Sequence, residues 1–127
     1  MVSRYRDWLR QSKRNLTSAI VNYRENLYEE SCFESHQAAE KALKALLNYF
    51  HKERRGYSLL FLLSEAFPEP LEDIKQCVLY LDKHYTPSRY PDVYDEGAPM
   101  DYYSKEDADK CISCAKRIIE WVESIVR

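Results

Sequence analysis

The chain has 127 residues, 45% of them apolar and 31% charged, with a net charge of −2. Such a length suits one domain, 1–127, with a core of its own, and the composition excludes a disordered tail. Two glycines and five prolines, every proline between Pro68 and Pro99, leave too few turn formers for a β-sandwich and no glycine-rich phosphate loop. No run approaches the ~20 apolar residues of a membrane span, and MVSRYRDWLRQSK lacks a signal-peptide core. The expected compartment is the cytoplasm. Charge is uneven: residues 1–55 carry eleven Lys/Arg against seven Asp/Glu, and residues 56–127 carry eight against fourteen. That balance argues against non-specific coating of nucleic acid but leaves room for a local basic face.

The dominant period is helical. Tyr5, Trp8, Leu9, Leu16, Ala19, Ile20, Tyr23 and Leu27 form one stripe at 3.6-residue spacing, with Ser3 as the N-cap candidate. A second helix over 29–52 buries Cys32, Phe33, Ala39, Leu43, Leu46, Leu47 and Phe50, and Gly56 breaks it. Ser58 caps a short helix from Leu59 to Ala66, which Pro68 and Pro70 end. A fourth helix, about 70–85, uses Leu71, Ile74, Val78, Leu81 and Tyr85, and residues 86–103 form a long loop. The last helix opens at Ser104 in a capping box with Asp107 and runs to the carboxy terminus. The expected fold is all-α: an up-and-down antiparallel bundle of four long helices plus one short one. On the last helix Ala108, Cys111, Ile112, Ala115, Ile118, Ile119 and Val122 form one apolar stripe. Cys114, Trp121 and Ile125 form a second, which points to a homodimer interface or else to a helix buried on two sides of its own bundle, the dimer being the preferred reading.

FESHQAAEKALKALL (33–47), LDKHYTPSRYPD (81–92) and EDADKCISCAKRII at the start of the last helix resemble the HEPN domain, the higher-eukaryote and prokaryote nucleotide-binding domain. The resemblance spans nearly the whole chain. It implies a helical bundle similar to the carboxy-terminal domain of kanamycin nucleotidyltransferase, commonly dimeric. Many minimal prokaryotic members work beside a minimal nucleotidyltransferase (MNT) protein, and in some such pairs the HEPN chain is an RNA-cleaving toxin and its partner an antitoxin. The ribonuclease members carry an Arg followed after four to six residues by a His, paired across a dimer and acting without metal. The His moves the proton while the Arg neutralises phosphate.

Arg89 matches that arginine, but the histidine is missing: positions 94, 95 and 96 are Tyr94, Asp95 and Glu96. His84 precedes Arg89 by five residues, and Tyr94 is a poor base at neutral pH. If the chain is a ribonuclease, Arg89, His84 and Tyr94 are its catalytic candidates; the expectation leans against an enzyme. Arg89 with Tyr90, Asp92 and Tyr94 suits phosphate and base recognition, or else Arg89 pairs with Asp82 or Asp92 and pins the loop. On the second helix His36, Glu40 and Lys44 follow at i, i+4 and i+8, with Glu40 the expected partner of His36 and Glu40 and Lys44 candidates for lining a groove. Arg6, Arg10, Lys13 and Arg14 lie along the first helix, a solvated basic face or a contact for an anionic partner. Cys111-Ile112-Ser113-Cys114 has no second C-x-x-C and no strand before it, so all four cysteines are read as reduced structural thiols, with no metal and no cofactor. The reading is a nucleotide- or RNA-related binding module of a HEPN/MNT-type pair. The alternatives are a metal-independent ribonuclease toxin and a purely structural subunit for a nucleotidyltransferase-like partner.

Overall fold

The computed structural model describes residues 2–126. Among them are five α-helices, α1 (Tyr5–Arg24), α2 (Tyr28–Tyr49), α3 (Leu59–Ala66), α4 (Glu72–Asp82) and α5 (Lys105–Ile125), two short 3-10 turns (Pro91–Val93 and Pro99–Asp101) and no strand. The all-α bundle expected from the hydrophobic period is therefore present. The fourth helix is shorter than expected, because the chain leaves α4 after Asp82 in a series of turns. Residue 127, included in the expected last helix, lies outside the described residues.

Helix α2 is the axis. It packs against α1, α3, α4 and α5 in turn, and Cys32, His36, Ala38, Ala39, Ala42, Leu43, Ala45, Leu46 and Leu47 are all fully buried on it. Its small residues let α1 approach closely. Across that seam the Ser12 hydroxyl donates to the Ala38 carbonyl at 2.6 Å and the Ser31 hydroxyl donates to the Ala19 carbonyl at 2.8 Å. Both hydroxyls are buried and would cost stability if left unpaired.

Local signals set most helix ends. Asn26 (φ 64°) and His51 (φ 59°) stop α1 and α2 in the left-handed region. The next amide in each case, Leu27 N–H and Lys52 N–H, bonds back to the Asn22 and Leu47 carbonyls at 2.8 Å. At the start of α5 Ser104 Oγ accepts from the Asp107 amide, and the Asp107 carboxylate accepts from the Ser104 amide, as the capping box predicts. Ser3 is not the N-cap of α1. Arg4 holds that position, and the Ser3 hydroxyl donates instead to the Asn48 carbonyl at the far end of α2.

The start of α3 has two sources of capping, one of them distant. Ser58 Oγ accepts from the Phe61 amide, while Asp82, at the end of α4, accepts from the amides of Leu59 (2.8 Å) and Leu60 (3.0 Å). His36 places Nε2 3.5 Å from the same carboxylate, so Asp82, not Glu40, is its polar neighbour. Glu40 instead holds Lys44 at 3.0 Å. Partial burial works against the charge of Asp82, but the His36 ring and the two amides outweigh it, and its pKa lies below the ordinary aspartate value.

Two expectations about the cysteines and α5 are corrected. Cys32 and Cys111 are joined in a disulfide between α2 and α5, with Cα atoms 5.2 Å apart; only Cys77 and Cys114 are free. The packing of two helices brings together residues 79 apart in sequence, which no spacing rule reads. Secondly, the stripe assigned to a dimer interface faces its own chain. Cys114 and Trp121 are buried, Trp121 meets Phe67 edge-on at 5.3 Å, and Ile125 packs on the core. Helix α4 and Phe67, just past the end of α3, pack on α5.

Replacing Asp82 by Ala should cost about 2 kcal/mol at neutral pH, the scale of a lost charged cap. Because folding depresses the Asp82 pKa, the stability it contributes is complete above its unfolded value and is lost as pH falls through the folded one. Urea unfolding of both proteins from pH 7 down to pH 3 should therefore show the gap closing on the acid side.

Candidate functional site

The segment after α4 is braced from within. The amides of Arg89 and Tyr90 both donate to the Thr86 carbonyl, and the buried Ser88 directs its hydroxyl back to the His84 carbonyl. Further on, Tyr94 and Tyr102 stack face to face at 4.0 Å with planes 4° apart. The Tyr94 hydroxyl donates to the Pro87 carbonyl at 2.9 Å and the Tyr102 hydroxyl to the Glu96 carbonyl at 2.6 Å. Gly97 permits this closure: its φ is +80°, and a Cβ there would stand 3.1 Å from Asp101 and 3.2 Å from the Tyr102 ring. Tyr94 and Tyr102 thus hold the loop to itself, and Tyr94 is not placed as the ligand contact that the sequence proposed.

Arg89 has a different setting. It is exposed, and its guanidinium carbon lies 4.2 Å from the centroid of Phe33 on α2 and 5.7 Å from that of Tyr90. It forms no ion pair among the described residues; Asp82 is committed to α3 and His36, and Asp92 is exposed in its own 3-10 turn. Behind Phe33 stands Tyr85, 5.8 Å away, itself stacked on Tyr57 at 3.8 Å. Three separate parts of the chain, α2, the turns after α4 and the segment before α3, therefore meet in one aromatic cluster, and its Phe33 ring lies under the Arg89 guanidinium. A cation held over a ring keeps its in-plane N–H donors available, the arrangement that receives phosphate edge-on while a base stacks alongside.

Sequence reasoning missed Phe33, Tyr57 and Tyr85 as members of this site. Phe33 reads as one more apolar position on α2, and only tertiary packing shows that Arg89 covers it. Glu40 and Lys44 are not brought there. They lie seven and eleven residues beyond Phe33, about 10 and 16 Å along the helix axis, and Lys44 sits over the Trp8 ring at 5.5 Å. The basic face of α1 is partly neutralised: Asp7 holds Arg4 and Arg10, and Lys13 reaches Glu123 on α5. Arg6 and Arg14 are exposed and make no ion pair among the described residues.

Just past the end of α4, His84 turns inward. Its Nδ1 is 2.6 Å from the Tyr103 hydroxyl and its ring meets Tyr80 edge-on at 4.8 Å, while Nε2 is buried without a hydrogen-bond partner among the described residues. Burial, opposed by Asp107 and aided by Lys83, His36 and Lys110, pushes its pKa below the ordinary histidine value. His36 is fully buried beneath Tyr85, with ring centroids 5.1 Å apart. Neither histidine offers an open ring nitrogen beside Arg89 for proton transfer.

The family model of the HEPN domain matches residues 5–125. The chain belongs to the HEPN family. Solved structures agree with it over their whole length. An archaeal HEPN homologue, ST0689, is 48% identical with a TM-score of 0.86, covering 99% of this chain and 100% of that one. TT1696 of Thermus thermophilus is 34% identical with a TM-score of 0.92, covering 97% and 98%. A HEPN domain protein of Thermotoga maritima, tm0613, is 30% identical with a TM-score of 0.72, covering 94% and 96%. Among curated proteins, one of Methanocaldococcus jannaschii named "Putative toxin MJ1304" is 27% identical over 131 residues, covering 94% of this chain and 86% of that protein. The resemblance read from residues 33–47, 81–92 and 106–119 is thus shown at the level of the family.

Replacing Tyr103 by Phe removes the hydroxyl bonded to the His84 ring and strands the second ring nitrogen. The expected cost is about 1–3 kcal/mol, seen as a lower urea midpoint at unchanged slope.

Proposed function

We propose that this HEPN protein is a nucleotide- or RNA-binding module of a two-component, toxin–antitoxin-like system and does no catalysis of its own. The observation that carries the reading is the exposed Arg89 guanidinium, spread over Phe33 and Tyr90 with no carboxylate partner among the described residues. An unneutralised arginine on an aromatic platform is matched to a phosphate with an adjoining base, whereas a structural arginine would be paired. Tyr90, at 46% exposure, is the second contact, and Asp92 stands beside it as an acceptor for a base or ribose hydroxyl. The toxin-named relative supports a two-component setting, and with the family resemblance it favours an MNT-type nucleotidyltransferase as partner.

Ribonuclease action is disfavoured by the histidines. No His follows Arg89 in sequence, and His84 and His36 direct their rings into the protein. We also propose that the chain forms a homodimer. The buried Cys114 and Trp121 no longer support that contact; Leu60 and Phe61 of α3 and Leu71 before α4, which are near one another in sequence, are among the exposed apolar residues that remain for it.

Fluorescence titration with short single-stranded RNA and with nucleotides tests the reading. Arg89→Ala should weaken binding about 10- to 100-fold, the scale of one charge-assisted contact, and lower the slope of log K against log salt by about 0.7. Arg89→Lys keeps the charge but not the planar stack and should fall between the two. Binding unchanged in Arg89→Ala, or metal-independent RNA cleavage by the wild-type chain that this variant lacks, would replace the proposal with assembly or nuclease function.

A further inference from the structure

A second cluster lies inside the bundle, independent of Arg89. Cys32 of α2, Cys111 of α5 and His84 after α4 place one ligand atom each within 4.8 Å of one another. Both cysteines are fully buried. The Nε2 of His84 is buried with no hydrogen-bond partner, an arrangement that a folded protein rarely leaves without purpose. Its other nitrogen meets the Tyr103 hydroxyl at 2.6 Å, an outer contact that orients the imidazole; with that hydroxyl accepting from Nδ1–H, Nε2 carries the lone pair a metal needs.

We propose that, when the Cys32–Cys111 disulfide is reduced, Cys32, Cys111 and His84 bind a zinc-like divalent cation. Two sulfurs at about 2.3 Å from one tetrahedral ion stand roughly 3.8 Å apart, so once reduced the two sulfurs need only separate from their bonding distance of about 2 Å by less than about 2 Å, with His84 already within reach of both. Charge selects the ion. Two thiolates and a neutral imidazole around a divalent cation sum to zero, which a buried site tolerates. A monovalent soft ion such as Cu+ would leave one uncompensated negative charge there. Three protein donors leave one tetrahedral position for water or another small ligand. The disulfide and the ion use the same sulfurs and exclude each other. A dithiol reductant converts the disulfide to two thiols while forming its own disulfide, and the cation then displaces two thiol protons into solvent.

The probe is Co2+, with Zn2+ in competition, added to the full chain after reduction and removal of oxygen. The expected result is one equivalent bound, with thiolate-to-cobalt charge-transfer bands and the intense visible bands of a tetrahedral ion, and no such spectrum from the oxidised chain. His84→Ala should weaken binding at least 10-fold. Cys32→Ser/Cys111→Ser should lose the charge-transfer bands, and Cys77→Ser/Cys114→Ser should keep them. Circular dichroism checks that each variant is folded; if the Cys32/Cys111 double variant is not, the wild-type spectrum and His84→Ala still decide. A reduced wild-type chain without thiolate charge transfer, affinity unchanged in His84→Ala, or a spectrum that disappears only with Cys77 and Cys114 would each overturn the site.

Discussion

Everything in this bundle is arranged around a helix with almost no free surface. Because α2 is enclosed by α1, α3, α4 and α5, its side chains must either pack or find polar partners on a neighbour. The alanines and serines toward α1 answer this with close approach and hydroxyl-to-carbonyl bonds, and the leucines answer it by filling the space toward the other helices. At its amino-terminal half the same demand gives α2 its chemistry. Cys32, Phe33 and His36 lie on successive parts of that half and meet, respectively, Cys111, Arg89 and Asp82.

The junction after α4 is where these demands converge. Within eight residues the chain supplies Asp82 to cap α3, His84 to the interior and Arg89 to the surface. Tight turns and the inward hydroxyl of Ser88 keep the three side chains pointed in different directions. The tyrosines of the following loop then hold that loop in place. Tyr94 and Tyr102 brace the segment that follows Arg89 through their stacked rings and their hydroxyl-to-carbonyl bonds.

Family membership and this chain's own residues bear on different questions. Membership explains the bundle. It does not supply the missing histidine, and the inward-facing His84 does not replace it, since its ring nitrogens point to Tyr103 and into the protein interior. In this chain the arginine lies over Phe33 and beside Tyr90, with no histidine open to it.

Hydrophobic period, proline placement and capping residues were sufficient for the all-α class, the span of α3 and the start of α5, because those signals act within a few residues of themselves. The motif around Arg89 was likewise legible, since it is contiguous. The bond between Cys32 and Cys111, the capping of α3 by Asp82, the inward turn of His84 and the burial of Trp121 under Phe67 were not. Each joins residues from separate helices, and a wheel or a spacing rule gives the face a residue occupies on its own helix, never which neighbour that face will meet. Sequence alone determined the helices and named the arginine; only packing decided what lies beneath it.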